Sequence, residues 1–107
     1  MSADSRKESI ADAKVVSSIL SSLASPVRLM IICSLMDGEK NVGQFAELLG
    51  TTMGNISQHL RILEYKGVIQ SRKEGNKVFY RITNKDIIKL IKEIKKVCKK
   101  GRFGDTQ

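Results

Sequence analysis

At 107 residues, with 41% apolar and 28% charged side chains, the chain has room for one domain and a modest core. Its formal charge of +8 points to a polyanionic partner, and that charge is unevenly placed: residues 1–50 carry 5 basic and 6 acidic side chains, residues 51–107 carry 14 and 5. No apolar run approaches the roughly 18 residues of a membrane span, no signal-peptide pattern opens the chain, and the absence of Trp argues against interfacial anchoring, so no membrane partner is expected.

Met1–Lys7 is polar and expected to fray. From about Glu8 to Ala24, Val16, Ile19, Leu20 and Leu23 fall at helical spacing, which predicts a first helix with one apolar stripe. Ser25-Pro26 closes it and starts the next, since Pro is tolerated in a first turn. Val27–Met36 is apolar on nearly every side and reads as the buried centre of a small bundle. Asp37–Lys40 is an exit turn, Asn41 caps a helix over Val42–Leu49, and Gly50 ends it.

The stretch Thr51–Ile82 carries the most specific signal. Thr52 can cap a helix running to Lys66, on which Met53, Ile56, Leu60 and Leu63 form an apolar stripe. Opposite that stripe lies Gln58, flanked by Gly54, Asn55 and Arg61, with Ser57 at the margin. Gly67 stops the helix, and two β-prone runs follow, Val68–Arg72 and Val78–Ile82, joined by Glu74-Gly75-Asn76. Asn and Gln can make paired hydrogen bonds to adenine in the major groove. Arg72, Lys73, Lys77 and Arg81 on the hairpin are the kind of side chain that neutralises phosphates. Two helices joined by a short connection and followed by a basic hairpin match a DNA reader whose second helix enters the groove.

After the hairpin, Asn84 caps a last helix to about Lys100, with a stripe of Ile87, Leu90, Ile91, Ile94, Val97 and Cys98 and with lysines mainly elsewhere. Residues 101–107 read as a loose tail. The first and last helices carry more apolar surface than a core of this size covers, which points to a partner. One short reading helix contacts few base pairs and two related ones double the contacts, so a second copy is the expected partner and Ile91 belongs to the contact between copies. No nucleophile with a spare base, phosphate-cradling glycine loop or carboxylate dyad is present, so no enzyme and no cofactor are expected.

The run SQHLRILEYKGVIQSRKEGNKVFYRI resembles the recognition helix and wing of the ArsR/SmtB family of bacterial winged-helix repressors. Upstream, LASPVRLMIICSLMDGEKNVGQFAELLG is similar to that family's second and third helices, and the resemblance covers about Val16 to Lys99. It implies a mainly α fold with a small β-hairpin, a winged helix-turn-helix in the order α1-α2-α3-α4-hairpin-α5 that spans the chain as one domain. It also implies a homodimer formed through the first and last helices, binding double-stranded DNA at an inverted-repeat operator. With it, Gln58 and Asn55 are expected to read bases, and Thr52, Ser57, Arg61, Lys73, Asn76 and Lys77 to position the backbone. His59, inside the family's Ser-Gln-His-Leu motif, is expected to be structural. Met53 and Gly54 depart from the Gln and Ser common near this helix start.

Metal sensing is that family's best-known activity. NVGQFAELLG lacks the Cys-x-Cys of resembling metal sensors, the last helix has no His, and the two cysteines lie far apart in sequence, so no metal site is expected. Cys33 and Cys98 can be packing residues, but four lysines surround Cys98 and favour its thiolate. RLMIICSLMDGE with a second Cys near the end of the last helix resembles the sulfide- and persulfide-responsive branch of the family (the SqrR, BigR and HlyU type). The reading is a cytoplasmic homodimeric repressor that releases its operator when Cys33 and Cys98 are oxidised or persulfidated by reactive sulfur or another thiol oxidant. Two other readings stay open: the same fold answering a metal or metalloid, and a helical protein-interaction adaptor.

Overall fold

Five helices and three short strands make up the computed structural model, which describes the backbone of residues 3–99 and the side chains of residues 9–96. In chain order they are α1 (Ala3–Leu23), α2 (Pro26–Leu35), β1 (Lys40–Asn41), α3 (Val42–Leu49), α4 (Met53–Tyr65), β2 (Gln70–Glu74), β3 (Lys77–Arg81) and α5 (Lys85–Lys99). The mainly helical fold with a small antiparallel hairpin is the one the sequence implied. Helix α1 is described from Ala3, so residues 3–7, read as a fraying end, are helical. The expected tail at 101–107 lies outside the described residues.

Local chemistry fixes the helix ends. Ser25 Oγ accepts the Arg28 amide at 3.3 Å, and Pro26 sits at the first helical position of α2. Asn41 and Gln44 cap α3 reciprocally: Asn41 Oδ1 accepts the Gln44 amide at 2.9 Å, and Gln44 Oε1 accepts the Asn41 amide at 2.8 Å. Thr52 Oγ1 accepts the Asn55 amide at 3.1 Å to open α4. At the other end Gly67 takes φ 76°, the Val68 amide donates to the Leu63 carbonyl, and the Gly67 amide donates to that of Glu64. That pattern closes a helix with a left-handed residue, and it packs Val68 beside Leu63, both buried.

The same closure shifts the strands from their expected place. Val68 and Ile69 have strand propensity, but the Val68 amide is bonded to the helix end and both side chains enter the core. Pairing starts at Gln70↔Arg81 and runs to Glu74↔Lys77, bracketing the two-residue turn Gly75-Asn76, where Gly75 has φ 63°. Strand β1, which the sequence reading took as turn and cap, pairs Lys40↔Tyr80 and Asn41↔Phe79, so the sheet order is β1-β3-β2.

The core joins Ile31, Ile32 and Leu35 of α2 to Phe45, Ile56, Leu60, Leu63, Ile69, Ile87 and Ile91. Buried Ser22 and Ser34 donate to carbonyls three residues back, at 2.6 and 2.7 Å. Three expectations need correction. Met53 is 58% exposed, because the first turn of α4 stands clear of the core that holds Ile56. Met30 is 52% exposed, so α2 is buried on one side and not all round. Ile91, read as a contact between copies, is 1% exposed within one chain.

Helix α1 stands off this body. Ile10, Val15, Val16 and Leu20 are about half exposed, and of its stripe only Leu23 is fully buried. The Cα radius of gyration is 16.1 Å, against about 13 Å for a compact domain of this length, and the extents are 51 × 41 × 21 Å. Among the described residues no single helix is long and apolar enough to cross a membrane; α1 and α2 pass that test only together, bent by 93°.

Candidate nucleic-acid interface

Helices α3 and α4 meet across the turn Gly50–Thr52, and the wing β2–β3 stands beside them. Of the eight residues expected at DNA, the structure leaves Thr52, Gln58, Arg61, Lys73, Asn76 and Lys77 exposed, and Asn55 and Ser57 half-buried. Gln58 and Arg61 come from the face of α4 opposite Ile56, Leu60 and Leu63, as the periodicity required. Asn55 Nδ2 donates to Thr51 Oγ1 at 3.1 Å, which orders its side chain while leaving the carbonyl oxygen and one amide hydrogen available. A cleft of about 470 Å³ lies between the starts of α3 and α4 and the wing, lined by Asn41, Val42, Gly43, Met53, Asn76, Lys77, Val78 and Tyr80. Met53, lost from the core, is therefore a wall of this cleft. Tyr80 keeps its phenolic proton more firmly than usual, mainly because it is partly buried and then because the Glu64 carboxylate is near.

The basic residues of the wing divide into two sets. The side chains of Lys73 and Lys77 make no ion pair among the described residues and remain available to phosphates. Arg72, expected to do the same, is already engaged: Nη2 lies 2.7 Å from Glu39 Oε1, Nη1 lies 2.7 Å from Glu74 Oε2, and its guanidinium stacks 5.0 Å from the Phe79 ring centre. The hydrogen bond from Arg72 holds the Glu39 carboxyl below the usual carboxylate range. Arg81 Nη1 reaches the same Glu39 at 3.9 Å.

Sequence reasoning missed the residues that orient this surface. Arg28 donates through Nε to the Ser22 carbonyl at the end of α1 and through Nη1 to His59 Nδ1 at 3.1 Å, which ties α1, α2 and α4 together. Burial, and then the adjacent Arg28 charge, lower the His59 pKa, so the neutral ring is favoured and its Nδ1 accepts. His59 is a structural residue, as expected. Lys66 Nζ adds a bond to Ser18 Oγ at 2.7 Å, and Ser71 Oγ donates to Glu64 Oε2 at 2.6 Å, linking the wing to α4.

Cys33 is a free, half-buried thiol on α2, packed against the core. The side chain of Cys98 lies outside the described residues. Among the described residues no group of three or more His, Cys, Asp or Glu comes together to hold a metal ion.

A groove-sized helix with an amide-bearing face, preceded by a capped helix and followed by a basic wing, is a winged helix-turn-helix. Residues 25–71 match the family model described as bacterial regulatory protein, arsR family. The biofilm growth-associated repressor of Xylella fastidiosa is 34% identical over 79 residues, covering 74% of this chain and 69% of that protein. The chain belongs to the arsR family. Among solved structures, reduced HlyU from Vibrio cholerae N16961 superposes with a TM-score of 0.79 at 28% identity, covering 85% of this chain and 96% of that one. A homodimeric winged helix-turn-helix DNA-binding domain from Mycobacterium bovis, described as a possible ArsR-family transcriptional regulator, gives 0.77 at 29% identity, covering 92% and 88%. This arsR-family chain is a DNA-binding transcriptional repressor, and not an enzyme. Its likeness to HlyU and to the Xylella repressor places it with the HlyU- and BigR-like branch.

Proposed function

We propose that two copies of this repressor pair through α1 and α5 and bind an inverted-repeat operator in the cytoplasm, and that chemical linkage of Cys33 to Cys98 releases the DNA. Gln58 and Asn55 read base edges. Thr52, Ser57, Arg61, Lys73, Asn76 and Lys77 contact the backbone, and half-sites lie about one helical turn apart or a multiple of it. The observation that carries the DNA reading is the exposed Gln58–Arg61 face of α4, with Lys73 and Lys77 on the wing beside it making no ion pair among the described residues. Dimerisation is supported by the uncovered apolar side of α1 and by the homodimeric relative from Mycobacterium bovis.

Support for the thiol switch comes from how α5 passes α2. Met36, one turn after Cys33, shares a cleft with Lys92, Lys95 and Lys96 of α5, and Cys98 follows on the same helix. An organic persulfide attacked at its outer sulfur by Cys33 leaves a cysteine persulfide and releases the organic thiol. Attack by the Cys98 thiolate on the Cys33 sulfur then gives a disulfide and expels hydrosulfide. If both cysteines are persulfidated, their condensation gives a trisulfide and hydrogen sulfide. Either bridge ties α5 to α2, and Arg28 connects α2 to the recognition helix.

The test treats reduced protein with an organic persulfide, with peroxide or with a diamide-type oxidant and follows DNA affinity and intact mass. The expected result is a linked dithiol species that has lost DNA binding at least a hundredfold, about 2.7 kcal/mol, reversed by reductant. Cys33→Ser and Cys98→Ser each bind DNA normally and stop responding. Release of DNA by either variant on persulfide treatment overturns the dithiol reading.

A further inference from the structure

Strand β2 sends successive side chains to two different anchors. Ser71 faces α4 and bonds to Glu64. Arg72 turns to the opposite face of the hairpin, over its cross-strand partner Phe79, and forks onto Glu39 with Nε at 2.9 and 3.2 Å from the two carboxylate oxygens and Nη2 at 2.7 Å. Glu39 stands in the turn that leaves α2, immediately before β1, whose Lys40 pairs with Tyr80 of β3 and donates through Nζ to the Ser34 carbonyl at 2.6 Å. The wing is thus held from one side by the recognition helix and from the other by the exit of α2.

By charge alone Glu39 is out of place. It puts a carboxylate near a polyanion and occupies an arginine that could have met a phosphate. The arrangement makes sense if Arg72 works as a strut. A two-stranded hairpin is marginal by itself, and β1 adds only two residues to it. The tip that carries Lys73, Asn76 and Lys77 therefore depends on anchors at its base. A bidentate guanidinium–carboxylate pair fixes direction as well as distance, which a lysine would not.

We propose that Glu39 is a positioning residue for DNA binding: its ion pair with Arg72 sets the angle at which Lys73, Asn76 and Lys77 meet the phosphate backbone. The proposal rests on the reading of those three residues as DNA contacts.

Glu39→Gln keeps the size of the side chain and removes a negative charge, so charge and positioning make opposite predictions. Charge predicts tighter DNA binding, and positioning predicts weaker. Fluorescence anisotropy against one selected duplex, at several salt concentrations, compares wild type, Glu39→Gln, Lys77→Ala and the double variant, with thermal melting as the control for folding. We expect Glu39→Gln to weaken binding by roughly three- to thirtyfold. Its salt dependence becomes as shallow as that of Lys77→Ala, and the second substitution adds little to the first. Arg72→Lys, which keeps the charge and loses the fork, gives the same weakening and serves if Glu39→Gln does not fold. Glu39→Gln that binds as tightly as wild type or tighter, or penalties that simply add, overturn the proposal while leaving the wing at the DNA. Lys77→Ala with unchanged affinity and salt slope overturns the reading of the wing and the proposal with it.

Discussion

Gln58 and Asn55, the two residues proposed to read bases, both stand on α4 but are not equivalent. The Asn55 amide is ordered by Thr51, so it has less rotamer freedom to lose on binding, whereas no hydrogen bond within the described residues restrains the Gln58 side chain. Gly54 between the cap and this face is open: a Cβ there would meet nothing within 4 Å. Gly54→Ala should therefore stabilise the protein by about 0.4–1 kcal/mol, read as a raised urea midpoint at unchanged slope. His59 supplies a pH prediction. Its folded pKa lies below 6.5, so below that pH the unfolded chain takes up a proton that the folded chain resists. Stability on this account is complete above about pH 6.5 and falls as pH drops from there toward the folded pKa. The stability difference between wild type and His59→Gln, measured between about pH 5 and 8, should shrink on the acid side; a difference independent of pH contradicts the Arg28–His59 bond.

At the level of elements, the helices were legible because their ends are written in local chemistry. Asn41, Thr52, Gly67 and Asn84 each act within four residues of themselves, and the α3 and α4 boundaries follow from them. Strand limits were less legible, since Val68 and Ile69 have the right side chains for a strand but their place is decided by the helix closure before them. What could not be read was pairing at a distance: Arg28 with His59 is 31 positions apart and Arg72 with Glu39 is 33. For the same reason an arginine on a basic wing looked like a phosphate ligand. Leu63 joins the helix closure to the core, so Leu63→Ala should cost about 2–5 kcal/mol in chemical denaturation, with an unchanged fold class by circular dichroism.

For the whole molecule, the projecting α1 separates two kinds of apolar residue that the sequence pattern could not tell apart. Val16 is 53% exposed and Ile91 is 1% exposed. Val16→Asp should leave a folded monomer with weakened operator binding, while Ile91→Asp should unfold the chain. Light scattering together with circular dichroism distinguishes the two, and a folded dimer for Val16→Asp would count against α1 as the contact. All of this bears on the proposal that the chain meets DNA through α4 and the wing. The most direct test takes a duplex selected from a random library by the wild-type protein and measures its affinity for wild type and Gln58→Ala beside a scrambled duplex. The account predicts a loss of about 1–3 kcal/mol for the selected duplex, relaxed preference at one base pair per half-site, and little change on the scrambled one. Equal affinity of Gln58→Ala and wild type for the selected duplex would contradict it.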